Sequence, residues 1–173
     1  MPHAAPTPEE EARYAELQQM ALDFARAGDT DQLAPMLDAG MPVNLADPKG
    51  NTLLMLAAYH GHPDTVRLLL SRGTDVDRRN DRGQTPLGGV AFKGYVDIAE
   101  LLIAAGAAVD ADNGGGSTPL MYAVMFGRTG VAALLRHHHA GMGRRKGLGM
   151  LAHCLGGLVR LVRRGRGETR EQA

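Results

Sequence analysis

Tryptophan is absent from the 173 residues, phenylalanine occurs three times and tyrosine four, so aromatics make up 4% of the chain. That scarcity excludes a core filled by large rings and leaves burial to Leu, Val, Ile, Ala and Met. The single cysteine, Cys154, excludes an internal disulfide framework and makes a reducing, cytoplasmic setting the expectation. No apolar run is long enough to cross a bilayer. Met1-Pro2-His3-Ala4 has neither a basic nor an apolar stretch of the secretory kind, so no signal peptide is expected. Net charge is also missing, with 19 Lys and Arg against 19 Asp and Glu. No specific nucleic-acid partner is therefore expected. The balance conceals a segregation, however. Residues 1–135 hold ten basic and seventeen acidic side chains, a net of −7, and residues 136–173 hold nine and two, a net of +7.

What the chain does have is a period. Gly50, Gly83 and Gly116 stand 33 residues apart, and Thr52, Thr85 and Thr118, then Leu54, Leu87 and Leu120, follow at the same offset. Gly61, Gly94 and Gly127 repeat with it, as do Leu68-Leu69, Leu101-Leu102 and Leu134-Leu135. One period earlier, Gly28, Met36-Leu37 and Gly40 mark a degenerate copy. Each unit predicts two short antiparallel helices and a projecting turn. Thr85 caps the first helix with Pro86 at its first position, Gly94 separates the helices, and Val96 to Ala104 carries the second apolar stripe. Val109 to Gly116, rich in Asp, Asn and Gly, predicts the turn. One such unit cannot bury its own apolar face, whereas a stack of them can.

The stretches GNTLLMLAAYHGH (50–62), GQTPL (83–87), VRLLLSRG (66–73) and LLIAAGA (101–107) resemble the ankyrin repeat. The resemblance implies an all-α solenoid of stacked helix–turn–helix units over residues 17–136. These divide into a degenerate copy at 17–49, full copies at 50–82 and 83–115, and a truncated one at 116–136. Residues 1–16 form a tail and the start of a capping helix, and 137–173 a basic, glycine-rich tail or atypical cap. The Ala-, Gly- and Arg-heavy usage is similar to that of a GC-rich bacterial gene, and the resemblance then implies a short bacterial ankyrin repeat protein. The family often has His after Thr-Pro-Leu to tie neighbouring repeats; Met55, Gly88 and Met121 stand there instead, which predicts that these ties are missing. Gly88-Gly89 inside a helix costs roughly 1 kcal/mol per glycine relative to Ala, which predicts that the third unit is the soft one, the pair serving as a hinge or reflecting tolerated drift or close helix packing.

Ahead of the repeats, Thr7-Pro8-Glu9-Glu10 has the form of a capping box. The helix after it would turn Tyr14, Leu17, Ala21 and Phe24 toward the first repeat and Glu9, Glu10, Glu11 and Glu16 to water. Past Leu135 the period fails. Leu148, Leu151, Leu155, Leu158, Val159 and Val162 fall near helical spacing among arginines, with Gly147, Gly149, Gly156 and Gly157 between them. This segment reads as a terminal cap, a surface helix for anionic lipid or an acidic partner, or a frame-disrupted repeat.

Motifs for phosphate binding, zinc hydrolysis or a nucleophile elbow are missing, and no enzyme, cofactor or metal is expected. Gly114-Gly115-Gly116 reads as a loop, and Asp75, Asp77, Asp110 and Asp112 as solvated turn residues. His137, His138 and His139 are consecutive and point apart on a helix, His60 and His62 flank a turn, and His153-Cys154 stand alone, which is not the fixed geometry a metal needs.

The resemblance implies a non-catalytic, monomeric interaction module whose protein partner, unnamed by these residues, lies along the concave face of turn tips and first helices. The tip positions are Pro48, Lys49 and Asn51, then Asp81, Arg82 and Gln84. The helix-end positions are Tyr59 and His60, Phe92 and Lys93, and Met125 and Phe126. Tyr59, Phe92 and Met125 share one slot, and aromatics with Met, rimmed by charge, have the composition of an interface. The same rings could equally serve to seal adjacent helices. The alternative function is a peripheral membrane or polyanion adaptor working through the basic C-terminal segment.

Overall fold

The computed structural model describes residues 7–140. These form eight helices: α1 Pro8–Ala27, α2 Thr30–Asp38, α3 Leu53–His60, α4 Pro63–Ser71, α5 Pro86–Lys93, α6 Val96–Ala104, α7 Pro119–Met125 and α8 Thr129–Ala140. Strand structure among the described residues is limited to an isolated antiparallel bridge between Ala46 and Thr52. The fold is the all-α repeat solenoid expected. Helices α1, α3, α5 and α7 pack side by side in one layer, and α2, α4 and α6 in the other.

The period explains the elements. Thr52, Thr85 and Thr118 each accept a hydrogen bond from the backbone N–H three residues on, at Met55, Gly88 and Met121, which starts α3, α5 and α7. Between the layers, Leu54 and Leu87, and Leu69, Leu102 and Leu135, are fully buried. Each contributes about 1.5–3 kcal/mol. The readings of residues 137–173 as cap, lipid-facing helix or frame-disrupted repeat, and of His153-Cys154, lie outside the described residues from 141 on.

One expectation needs correction. The Thr7 capping box is present, with Thr7 N donating to Glu10 Oε2 at 2.8 Å and Glu10 N to Thr7 Oγ1 at 3.3 Å. Yet α1 buries Ala21, Leu22 and Ala25 rather than the Tyr14–Leu17 end of its stripe; Tyr14 and Leu17 are exposed. The reason is length. Helix α1 has 20 residues and its neighbour α3 only 8, so the first turns of α1 run past anything they could pack on.

With Met55, Gly88 and Met121 in place of the family's histidine, other residues join the repeats. Asn44 Oδ1 accepts from Thr74 Oγ1 and Asp75 N, and 33 residues on Asp77 accepts from Ala108 N. His62, Tyr95 and Arg128, again 33 apart, lie against Gly28, Gly61 and Gly94 of the preceding unit. Gly61 and Gly94 end their helices at φ 84° and 94°, the left-handed region. A Cβ at Gly61 would stand 2.9 Å from the Tyr95 ring, so glycine here serves both the backbone and its neighbour. His62 Nε2 donates to the Arg26 carbonyl at 2.8 Å and Arg128 Nε to the Phe92 carbonyl at 2.9 Å, capping first-helix carbonyls from the next repeat.

The third tie explains Gly88. Asn113, 2% exposed, turns inward so that its Oδ1 accepts from Thr85 N at 2.7 Å and Thr85 Oγ1 at 3.0 Å. Its Nδ2 donates to the Ala111 carbonyl at 2.9 Å. A Cβ at Gly88 would stand 2.5 Å from Asn113 Cγ, and one at Gly89 3.3 Å from Tyr59 Cδ2. Gly88 is there for close packing against Asn113, and Gly89 meets only the edge of the Tyr59 ring.

Candidate partner-binding groove

The turn tips and the first-helix layer enclose an open groove of about 720 Å³. Met55 and Leu56 from α3 and Gly88 and Gly89 from α5 line it on the helix side. Tyr59, Phe92 and Tyr122 stand as walls, and Asp47, Lys49, Asn51, Asn80, Asp81, Arg82 and Gln84 come from the tips.

The tips are rigid because each is folded around an acceptor. Asp47 Oδ1 takes the N–H groups of Lys49 and Asn51, both at 2.9 Å, and Asn80 Oδ1 takes those of Arg82 and Gln84, both at 3.0 Å. Neighbouring tips are joined by Asn80 Nδ2 to Asn51 Oδ1 at 2.9 Å and by Asp81 N to the Lys49 carbonyl at 3.1 Å. In the third tip the acceptor is Asp112, one position earlier, taking Gly114 N and Gly116 N. The glycine run permits this shift, with φ of 98°, 63° and 80° at Gly114, Gly115 and Gly116, and the shift releases Asn113 for Thr85.

Along the helix ends the rings form a row. Tyr59 and Phe92 are stacked, centroids 6.4 Å apart and planes 7° from parallel, and Phe126 meets Phe92 edge-on at 4.5 Å. Lys93 Nζ lies 4.7 Å from the Tyr59 ring centroid, a cation–π arrangement. His60 is edge-on to Tyr59 at 5.6 Å. Burial, then the charges of His62, Lys93 and Arg26, hold its imidazole below the usual histidine range.

Of the residues expected from the sequence, Lys49, Asn51, Tyr59, His60, Asp81, Arg82, Gln84 and Phe92 come together around the groove. Lys93 reaches it through the Tyr59 face, and Met125 and Phe126 lie outside its lining. The slot shared by Tyr59 and Phe92 passes to Phe126 rather than Met125. Helix α7 ends a residue early, with Phe126 as its cap where α3 and α5 are capped by glycine. Met125 is left 64% exposed.

Arg26 and Asp47 were not anticipated. Arg26 is legible in principle, standing 33 residues before Tyr59 in the same slot. It bonds Asp47 Oδ2 through Nη2 at 3.2 Å and Asp23 through Nη1 at 2.6 Å. Burial by itself pushes the Asp47 carboxyl up. Bonds from the Asn51 side chain and backbone, the Lys49 N–H and Arg26 outweigh it and hold the group below the usual carboxylate range. A depressed carboxyl stabilises the fold above its unfolded value of about 3.9 and loses that contribution as pH falls through the folded value. Asp47→Ala is therefore expected to cost about 1–3 kcal/mol at neutral pH, a gap that narrows in acid. Urea melts at the two pH values check this, and a gap constant with pH would remove Asp47 from the account.

With Asp47 engaged, the groove is cationic against the acidic body. Among the described residues Lys49, Arg82 and Lys93 form no ion pair, and Asp81 is the remaining carboxylate of the lining. Among the described residues no three His, Cys, Asp or Glu side chains converge as a metal would need, and no helix is long and apolar enough to cross a membrane.

Comparison with known proteins agrees with the geometry. The family described as ankyrin repeats in three copies matches residues 19–80 and 54–146, which together run from 19 to 146 of the 173. An ankyrin repeat protein of Pseudomonas aeruginosa is 46% identical over 63 residues, 36% of this chain and 37% of the relative. The chain thus aligns with little more than a third of that relative's length. Ankyrin repeats are in general protein–protein interaction modules and non-catalytic scaffolds. The stacked helix pairs, the repeat ties and the family match make this chain a member of the ankyrin repeat family.

Proposed function

We propose that the chain captures a partner protein in the groove between its turn tips and first helices, without catalysing any reaction on it. In this reading the copies at 50–82 and 83–115 supply the groove and the copy at 17–49 its end wall, through Arg26. The observation that carries the reading is the row Tyr59–Phe92 standing beside the turn tips in one open groove of about 720 Å³. An apolar side chain of the partner has room there, between aromatic walls, while its neighbours meet the amide and cationic rim. The tips are already fixed by their own hydrogen bonds, so binding requires little ordering.

The rim also sets the partner's charge. Lys49, Arg82 and Lys93 against Asp81 favour a segment bearing carboxylates, which the net −7 of residues 1–135 would otherwise repel. The test is a pull-down from source lysate at rising ionic strength, followed by binding measurements with the protein identified. Lys49→Glu with Arg82→Glu is expected to weaken capture about tenfold or more, chiefly through association rate, and capture by the unaltered chain is expected to fall with salt. Capture indifferent to both changes would place the partner elsewhere on the molecule.

A further inference from the structure

The chain contains four asparagines, Asn44, Asn51, Asn80 and Asn113, followed by Leu45, Thr52, Asp81 and Gly114. Only at Asn113 does the next residue lack a Cβ. That matters for one reaction. The backbone nitrogen after an asparagine can attack the side-chain carbonyl carbon, and a glycine nitrogen approaches with least obstruction. Gly114 N would give up its proton and bond Asn113 Cγ. The Cγ–Nδ2 bond would break, and the nitrogen would leave as ammonia with that proton. Water would then open the resulting five-membered imide at either carbonyl, giving an aspartyl or an isoaspartyl residue. No oxidant or reductant is involved.

In the folded chain both reacting groups are engaged elsewhere. Gly114 N–H donates to Asp112 Oδ1 at 2.9 Å. Asn113 is 2% exposed, with two donors of Thr85 on its side-chain oxygen and the Ala111 carbonyl on its side-chain nitrogen. For attack the side chain must turn away from Thr85 and Ala111 and the Gly114 N–H must leave Asp112, and hydrolysis requires water at a buried position. The protecting contacts are also the ones that join the third turn to the Thr85 cap of α5.

We infer that Asn113-Gly114 is a conditional deamidation site, closed while the 112–117 turn is docked on Thr85 and open when that junction separates. The product does not re-close. At an aspartate the atom replacing Nδ2 is an acceptor facing the Ala111 carbonyl, and a charge is buried beside it. An isoaspartate lengthens the backbone within the turn that the Asn113 N to Ser117 carbonyl bond closes at 2.7 Å. The change reaches the groove, because Thr85, Gly88 and Tyr122 line it and the Tyr122 hydroxyl donates to the Asn113 carbonyl at 3.3 Å. Each opening of the junction thus risks a permanent mark on the molecule. The inference stands whether or not the groove is where a partner binds.

The experiment ages the full chain in mildly alkaline buffer, natively and in urea, and reads deamidation by mass spectrometry after trypsin. The peptide Gly94–Arg128 carries Asn113 as its sole asparagine and no glutamine, and Gly50–Arg67, with Asn51, is the internal control. Conversion at Asn113 is expected to be about tenfold or more faster in urea than in the native chain, the ratio reporting protection by local closure. It should also outpace Asn51 in urea. Native Thr85→Val should move toward the urea rate. Equal rates in the two states, or an unfolded Asn113 no faster than Asn51, would overturn the inference. Asn113→Asp is expected to lower the melting midpoint, and an unchanged midpoint would refute the claim that the product fails to re-close.

Discussion

Gly88→Ala is expected to destabilise the fold by about 2–4 kcal/mol, although helix propensity alone gives a gain of roughly 1 kcal/mol for the same change. The sign is decided by Asn113. The added methyl carbon would lie 2.5 Å from Asn113 Cγ, and closer still to Oδ1. The neighbour is neither a flexible tip nor free to withdraw, because Oδ1 holds the Thr85 N–H and hydroxyl in a buried position. Expelling it leaves Thr85 N without a partner where water has no access. Gly89→Ala is the matched control: the same helix and propensity, with the nearest outside atom at 3.3 Å on the edge of the Tyr59 ring, which is itself 38% exposed. That change is expected to fall within about 0.5 kcal/mol of neutral or to stabilise. Chemical melts of both variants separate clash from propensity. In a double-mutant cycle with Asn113→Ala, Ala at position 88 should lose most of its cost. Equal effects of the two alanines would mean that Asn113 is not the clamp described.

How far these residues could be read in advance depends on which contact each one makes. Features internal to one unit were legible, because a capping threonine, a helix-ending glycine and a buried leucine act within a few residues of themselves. Contacts between units were not. Met55, Gly88 and Met121 signal the loss of one particular histidine tie, and that signal is correct as far as it goes. It is silent on a replacement arriving from residue 113. Asn80 and Asp47 occupy the equivalent position and use their side chains to hold their own turns. Only the one-residue displacement of that task to Asp112 frees Asn113, and a displacement of this kind preserves the period. The groove followed the same division. Positions projected by the 33-residue offset converge around it, and Arg26 was reachable by one further step back. Phe126 was named beside Met125, but that it rather than Met125 joins the ring row was not legible, since this depends on α7 ending a residue before its counterparts. The exposed first half of α1 is likewise a matter of the neighbour's length, which no amphipathic pattern records.

Tyr59→Ala with Phe92→Ala is expected to weaken partner capture about a hundredfold or more. Central aromatic positions of interfaces commonly carry about 2 kcal/mol or more each when truncated. Two observations make the loss one of binding rather than of folding. Tyr59 is 38% exposed while Ala57 and Ala58 beside it are fully buried, so its ring is not what closes the layer. Phe92 is only half-buried, and its carbonyl remains capped by Arg128 whatever its side chain. Some stability must still go with the rings, because they stack on each other and Phe92 supports Phe126; about 1–2 kcal/mol is expected from the pair contacts and partial burial lost. The competing account, in which the row only seals neighbouring helices, makes the opposite division: a larger fall in stability and unchanged affinity in the molecules that remain folded. Measuring the melting transition and the dissociation constant on the same preparations separates the two. Far-ultraviolet circular dichroism should retain the helical signal, since none of the capping residues Thr52, Thr85, Gly61 or Gly94 is touched. Full affinity in a folded double variant would take the partner out of this groove and leave the aromatic row a purely structural feature of the stack.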